Sequence, residues 1–402
     1  MKRFTLLAIL LLVAVAHGDS LNCRLVGGCA TPGYARRVAV VGDHAYVTAD
    51  TAGLRVVSVS DPAHPTEVGY CNTPSRAYGV AVAGHYAYLA DGDSGLRIVS
   101  VSDPARPVEV GHCGTPDEAW DVAVAGDYAY VAGAGAGLRV ISISDPAHPV
   151  EVGHHVTPGL AYGAAATGSC AYVADGDSGL RIISVIDPAH PVEVGHCDTL
   201  GWAYCVTVVG DYAYVAGDYA GLLVISVSDP AHPTEVGFCE TPGGANDVAI
   251  DGEFAYVADW SAGLRVISVS DAAHPVEVGY HGTPGDAYGV AVAGGYAFVA
   301  DCYAGLQIYQ FYGAGVEEER STLYALRATP VPSIVRGVLE VGSQLAAYGS
   351  RPGIELYDAN GRKVAELHPG RNDVSRFAPG VYFVRRTETD QPERVAKVVI
   401  QK

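Results

Sequence analysis

A chain of 402 residues with 49% hydrophobic and 17% charged residues has room for a large packed domain plus a small one, and is too apolar to be intrinsically disordered. Its 49 Gly and 25 Tyr beside a single Met describe short strands and tight turns rather than helices. The formal charge of −19, with no Lys between Arg3 and Lys363, leaves no cationic stripe for a phosphate backbone and excludes nucleic acid as a partner.

At the N-terminus Lys2 and Arg3 precede an apolar run over residues 4–16, and Ala16 and Gly18 put small residues at −3 and −1 of a cut before Asp19. Residues 1–18 therefore read as a signal peptide. No later segment is apolar for 18 residues, so no transmembrane segment is expected and the mature chain should be secreted or displayed at the cell surface.

Over residues 19–314 one motif recurs with a period of 42. Gly-Leu falls at Gly53, Gly95, Gly137, Gly179, Gly221, Gly263 and Gly305, and an Ala keeps register at Ala35, Ala77, Ala119, Ala161, Ala203, Ala245 and Ala287. Each unit holds four short apolar runs bounded by Gly, Asp or Pro. In the second unit they lie within Arg-Ala-Tyr-Gly-Val-Ala-Val-Ala-Gly, His-Tyr-Ala-Tyr-Leu-Ala-Asp, Gly-Leu-Arg-Ile-Val-Ser-Val-Ser-Asp and Pro-Ala-Arg-Pro-Val-Glu-Val-Gly-His-Cys-Gly-Thr-Pro. Four strands, here a to d, in units of about 40 to 45 residues predict a β-propeller, and seven units predict seven blades. The last unit lacks strand d, whereas a spare copy precedes the first strand a. Residues 24–32 are therefore expected to complete the last blade and close the ring, leaving no open edge.

Residues 315–332, with Glu317, Glu318, Glu319, Pro330 and Pro332, read as a linker. A small C-terminal β-sandwich is expected over 333–402, with strands at 353–357, 363–367, 380–386 and 394–401 and a hairpin turn at Asn360-Gly361.

The run Gly-Leu-Arg-Val-Ile-Ser-Val-Ser-Asp-Pro-Ala-His-Pro-Val-Glu-Val-Gly resembles the LVIVD repeat of extracellular bacterial and archaeal proteins, with Ser58 and Ser100 where that repeat usually has a second acidic residue. The resemblance implies a propeller at the cell surface and no established reaction. The tail carries Ile354-Glu355-Leu356-Tyr357-Asp358, Gly361-Arg362-Lys363-Val364, Pro379-Gly380-Val381-Tyr382-Phe383-Val384-Arg385 and a terminal Lys397-Val398-Val399. It resembles the C-terminal sorting domain of the type IX secretion system and is similar to flagellar hook-cap immunoglobulin-like modules. That resemblance implies passage across an outer membrane by a dedicated secretion machinery.

Most residues with chemical potential recur because the unit recurs. Cys29, Cys71, Cys113, Cys197 and Cys239, with His155 and His281, occupy one position near the end of strand d, where neighbouring blades stand roughly 15 Å apart. That spacing excludes disulfides and zinc around the ring. Cys197 with Cys205 and Cys29 with Cys302 remain open as disulfide pairs. The Asp-Pro-Ala-His-Pro loop repeats His64, His148, His190, His232 and His274, with Arg106 at the sixth place, and reads as turn chemistry. Asp91 with Asp93, and Asp175 with Asp177, offer oxygen ligands at alternate positions that suit Ca²⁺, although the twelve-residue loop with its closing Glu is absent. Arg55, Arg97, Arg139, Arg181 and Arg265 of strand c are expected at the rim covering apolar surface, because Ala49 and Gly133 stand where two of them would need a carboxylate.

The irregular positions are more informative. The d–a and b–c loops share one face, and it collects Trp120, Tyr162, Trp202, Tyr204, Tyr219, Trp260, Tyr288 and Tyr303. Aromatic side chains around a channel mouth can stack on a glycan or anchor a protein partner, or simply plug the channel. No nucleophile elbow, phosphate loop or single-copy catalytic set stands out. A binding or adhesion scaffold is the preferred expectation, and a polysaccharide hydrolase or lyase using Glu118, Asp121 and Asp247 is the alternative.

Overall fold

The computed structural model describes residues 20–313 and, beyond them, seven strand segments between 334 and 401. The expected signal peptide, the linker and the Asn360-Gly361 turn lie outside the described residues.

Residues 20–313 form seven antiparallel sheets of the expected four-strand kind. In the first blade strands a to d are Arg37–Val41, His44–Thr48, Leu54–Ser58 and Thr66–Cys71. Successive strands pair antiparallel, and strand d carries a bulge opposite Val56 and Val57. The same four strands recur through the sixth blade, which ends on Val276–His281.

The seventh blade has only Gly289–Ala293, Tyr296–Asp301 and Gly305–Phe311 of its own. Its strand d is Cys23–Cys29, which pairs antiparallel with Gly305–Phe311 from Cys23 opposite Phe311 to Cys29 opposite Leu306. The expected closure is therefore present, shifted so that the strand begins at Cys23 and residues 30–32 already lead away. A second stitch was not expected. Ser20–Leu21 adds a fifth strand to the sixth blade, pairing with Tyr280 and His281. Between the two stitches Asn22 turns in the left-handed region at φ 54° and donates from Nδ2 to the Val278 carbonyl at 2.7 Å. Asn tolerates that conformation better than other non-Gly residues.

The core lies between blades rather than within them. Tyr88, Leu96 and Ile98 of the second blade pack on Val122, Val131 and Ile141 of the third, and equivalent clusters fill the other gaps. Strands b and c are consequently buried on both faces, as their unbroken apolar runs predict. On the outside, the Gly of each strand d slips under the c–d loop of the next blade. A Cβ on Gly195 would stand 2.1 Å from the Pro230 carbonyl oxygen, and one on Gly69 2.2 Å from that of Pro104. The seventh blade has no c–d loop. There Phe311 and the Leu21 carbonyl cover Gly279, while Tyr309 and Phe311 replace the Val or Ile found at those positions in every other blade.

In the C-terminal unit, Ile334–Arg336, Arg394–Gln401, Gly380–Thr387, Gly353–Asp358 and Lys363–Leu367 form one sheet in that order. All its pairings are antiparallel except that of Ile334–Arg336 with Arg394–Gln401. Val338–Val341 pairs separately with Gly370–Asp373. The four strands expected from the sequence are all present.

Because residues 20–29 close two blades, deleting residues 19–32 exposes the edge of strand c in the seventh blade and uncovers Gly279. We expect the melting temperature to fall by about 10 °C or more. A calorimetric scan showing an unchanged transition would rule out this closure.

Candidate functional site

The site is built from a clasp that repeats at every blade junction. The second residue of each b–c hairpin adopts positive φ and forms a backbone bridge with the invariant Ala that opens the next blade, as in Gly92 with Ala119 and Trp260 with Ala287. The Gly92–Ala119 pair exchanges N–H to O bonds of 3.2 and 3.0 Å. All seven of these Ala residues are fully buried. The clasp fixes the residue after each Ala at the mouth of the central channel.

Those seven residues are Arg36, Tyr78, Trp120, Tyr162, Tyr204, Asn246 and Tyr288. Six of them, all but Asn246, touch in succession. Tyr78 stacks on Trp120 with centroids 4.4 Å apart and planes 2° from parallel, Trp120 meets Tyr162 edge-on at 5.1 Å, and Tyr162 meets Tyr204 at 5.4 Å. On the other side the Arg36 guanidinium lies over Tyr288 at 4.7 Å and Tyr78 at 5.7 Å. The π surface is interrupted only at Asn246.

The eight aromatics expected on this face therefore divide in two. Trp120, Tyr162, Tyr204 and Tyr288 belong to the half-buried inner ring at the mouth. Trp202 and Trp260, each 41% exposed, and Tyr219 and Tyr303, 61% and 64% exposed, stand outside it. Trp202 reaches back to Tyr162 at 6.0 Å and Trp260 to Tyr288 at 6.3 Å. Arg36 and Tyr78 complete the ring but were missed from sequence. The signal was available, since the position after the invariant Ala is variable while its neighbours are not.

Beneath this ring lie the first residues of the seven inner strands: Arg37, Gly79, Asp121, Gly163, Cys205, Asp247 and Gly289. Crowding at the axis explains the glycines. A Cβ at Gly79, Gly163 or Gly289 would fall within 2.8 Å of the next blade's Asp121, Cys205 or Arg37. Arg37 Nη1 pairs with Asp247 Oδ2 at 2.9 Å and donates to the Tyr288 carbonyl at 3.1 Å. Asp121 Oδ2 accepts from the Ala164 N–H at 3.1 Å, and Asp247 Oδ2 from the Val290 N–H at 2.8 Å, so each carboxylate ties its blade to the next. One cation thus faces two carboxylates. Burial pushes the Asp121 carboxyl up to about 6, with Asp247 adding to the rise and Arg37 opposing it. Burial also holds the Cys205 thiol well above its ordinary range. Glu118, the third acidic residue expected here, sits half-buried in the preceding loop.

The remaining expectations fall out as follows. All nine cysteines are free thiols. The two pairs left open by the sequence are not joined: Cys197 turns its Sγ to the Asp198 carbonyl and Cys29 to that of Ala30, while Cys205 is packed in the core between the fifth and sixth blades and Cys302 lies buried in the clasp to Ala35. In the Asp-Pro-Ala-His-Pro loops Asp61 accepts from the Ala63 N–H and pairs with His64 Nδ1 at 2.9 Å, the turn chemistry expected, on the face opposite the aromatic ring. Asp91 and Asp175 are fully buried, whereas Asp93 and Asp177 are exposed. Asp175 accepts from the Thr157 hydroxyl at 2.5 Å and the Gly159 N–H at 2.8 Å, and Asp91 from the Ser75 N–H at 3.2 Å. No group of three or more His, Cys, Asp or Glu side chains suited to a metal occurs among the described residues.

The strand-c arginines require a correction. Arg55, Arg139 and Arg181 are buried rather than at the rim, and a buried cation needs a partner. Strand d supplies it: Arg97 reaches Glu109 at 3.0 Å and Arg139 Nε reaches Glu151 at 3.1 Å. Where the hairpin offers a carboxylate it joins in, with Arg97 3.7 Å from Asp91, Arg181 3.8 Å from Asp175 and Arg265 3.5 Å from Asp259.

The surplus carboxylate at the axis gives a pH dependence. The folded Asp121 holds its proton to about pH 6, above the unfolded value near 3.8, so stability present below pH 4 is lost as pH rises through 6. The loss is at most about 3 kcal/mol. Asp121→Asn carries no such cost and should melt higher than the wild type at pH 7.5, with the gain shrinking to about a third at pH 4.5. A difference in melting temperature that is the same at both pH values would contradict this electrostatic account.

The repeat pattern of the LVIVD repeat matches residues 32–73, 75–115, 116–157, 158–199, 201–241, 242–283 and 284–308, more than half of the chain. No curated protein matches the sequence. Among solved structures, the chain is similar to a functionally unknown protein from Desulfotomaculum acetoxidans, at 17% identity and a TM-score of 0.54 over 68% of this chain and 88% of that one. It is also similar to the RRP9 WD40 repeats, at 12% identity and 0.59 over 73% and 100%, and to the computationally designed Ika8 protein, at 7% and 0.54 over 69% and 83%. At these identities the likeness concerns the fold alone. With seven four-stranded blades and seven matching repeats, the chain belongs to the LVIVD-repeat family of β-propellers.

Proposed function

We propose that this protein is an exported, surface-displayed binding or adhesion scaffold whose aromatic face engages an extracellular glycan or protein. The observation that carries the reading is the placement of Trp202, Tyr219, Trp260 and Tyr303, exposed in the loops around the channel mouth while the framework repeats almost unchanged. Large exposed aromatics cost solubility and tend to mark partners. The leader-like residues 1–18 and the tail's resemblance to type IX sorting and hook-cap immunoglobulin-like modules support export to the outer surface, with the β-sandwich over 333–402 acting as the sorting or anchoring domain.

The alternative, a polysaccharide hydrolase or lyase, would use Glu118, Asp121 and Asp247. It is the weaker reading, because the Asp121 and Asp247 oxygens are engaged with backbone N–H groups of the next blade, and Asp247 also with Arg37. Glycan-array binding compares the wild type with a Trp202→Ala, Trp260→Ala variant. The scaffold reading expects saturable binding that falls about tenfold or more in the variant without product release; release of product would replace it with the enzyme. For export, a reporter fused to residues 317–402 is expected outside the cell in a host with the type IX system, and its retention in the periplasm would count against sorting.

A further inference from the structure

Resting on the binding reading above, we infer that the ligand is anionic: an acidic glycan whose carboxylate or sulfate is received by Arg36 and Arg76 at the channel mouth. The chain carries −19 overall, yet among the described residues these two guanidinium groups share a single close carboxylate, Asp50. Arg36 binds Asp50 Oδ2 through Nε at 3.2 Å and Nη2 at 2.8 Å, and Arg76 Nε stands 3.7 Å from Oδ1. Arg76 also meets the Tyr78 hydroxyl, and Glu118 is the next carboxylate near it. No hydrogen bond from Arg36 Nη1 occurs among the described residues, and Arg76 is 61% exposed, so donors remain for an incoming anion.

The Arg36 position is preorganised. Its guanidinium is held by Asp50 and stacked against Tyr34, Tyr78 and Tyr288, and Asp50 is itself fixed by the backbone bridge to Ala77. A held guanidinium loses little freedom when it binds a planar carboxylate in a forked geometry. Beside it runs the aromatic surface, whose exposed indoles can stack the apolar face of a sugar ring. A cation joined to aromatic platforms suits an acidic saccharide better than an acidic peptide, which has no flat ring to fill them.

The test is calorimetric titration of the whole protein with polygalacturonate, dextran sulfate, neutral dextran and poly-L-glutamate at low and high salt. Polygalacturonate or dextran sulfate should bind about tenfold or more tightly than dextran and weaken with salt. Arg76→Ala should reduce that affinity about tenfold with little change in melting temperature, and Arg76→Glu should reduce it further, whereas Arg106→Ala on the opposite face should have no effect. Equal affinity for dextran and the acidic polymers, or indifference to both Arg76 variants, overturns the anionic assignment while leaving glycan binding in place. Poly-L-glutamate bound as tightly as polygalacturonate overturns the sugar class. Absence of binding to every polymer overturns this inference, and loss of array binding as well overturns the reading beneath it.

Discussion

Each blade meets the next at two points where almost nothing fits, and the rest of the structure follows from that constraint. Near the axis a fully buried Ala forms the bridge to the preceding hairpin; at the outer edge a Gly lies so close to a loop carbonyl that a methyl group would overlap it. Overpacking of this kind costs about 1–3 kcal/mol at a single site, and a ring multiplies any change of angle by seven. The framework residues are therefore held by geometry, which accounts for repeats of one length and nearly one sequence.

The same constraint dictates what happens at the seam and on the axis. The sixth and seventh blades meet without a c–d loop between them, and the chain compensates with its N-terminal strands and with Tyr309 and Phe311 in place of smaller side chains. At the axis seven equivalent positions would clash if all carried side chains, so three are Gly and the remainder form a compact polar set around Arg37. Above it the positions after the invariant Ala can differ freely, because they face the channel mouth instead of a neighbouring sheet. Freedom from packing is what lets this face become specific.

The repeat, the blade count, the borrowed strand and the turn role of the Asp-Pro-Ala-His-Pro loops were legible because each depends on local sequence in a fixed register. The Arg pairs were not. Ala49 and Gly133 removed the nearest carboxylate from view, and the strand-d Glu that serves instead lies about a dozen residues away across a bulged pairing. The contact of Arg37 with Asp247 was equally hidden, since 210 positions separate them in sequence and only closure of the ring places them together. The eight aromatics were read as one undivided set, and their division into a half-buried ring and an exposed group depends on which residue of each loop follows the clasp.

All three tryptophans of the chain, Trp120, Trp202 and Trp260, lie on this one face. Intrinsic fluorescence is therefore a direct reporter of its occupancy. Titration with a bound polysaccharide should give a saturable change in tryptophan emission whose midpoint equals the calorimetric dissociation constant. Binding that saturates by calorimetry while the emission stays constant would place the ligand elsewhere and contradict the assignment of function to the channel mouth.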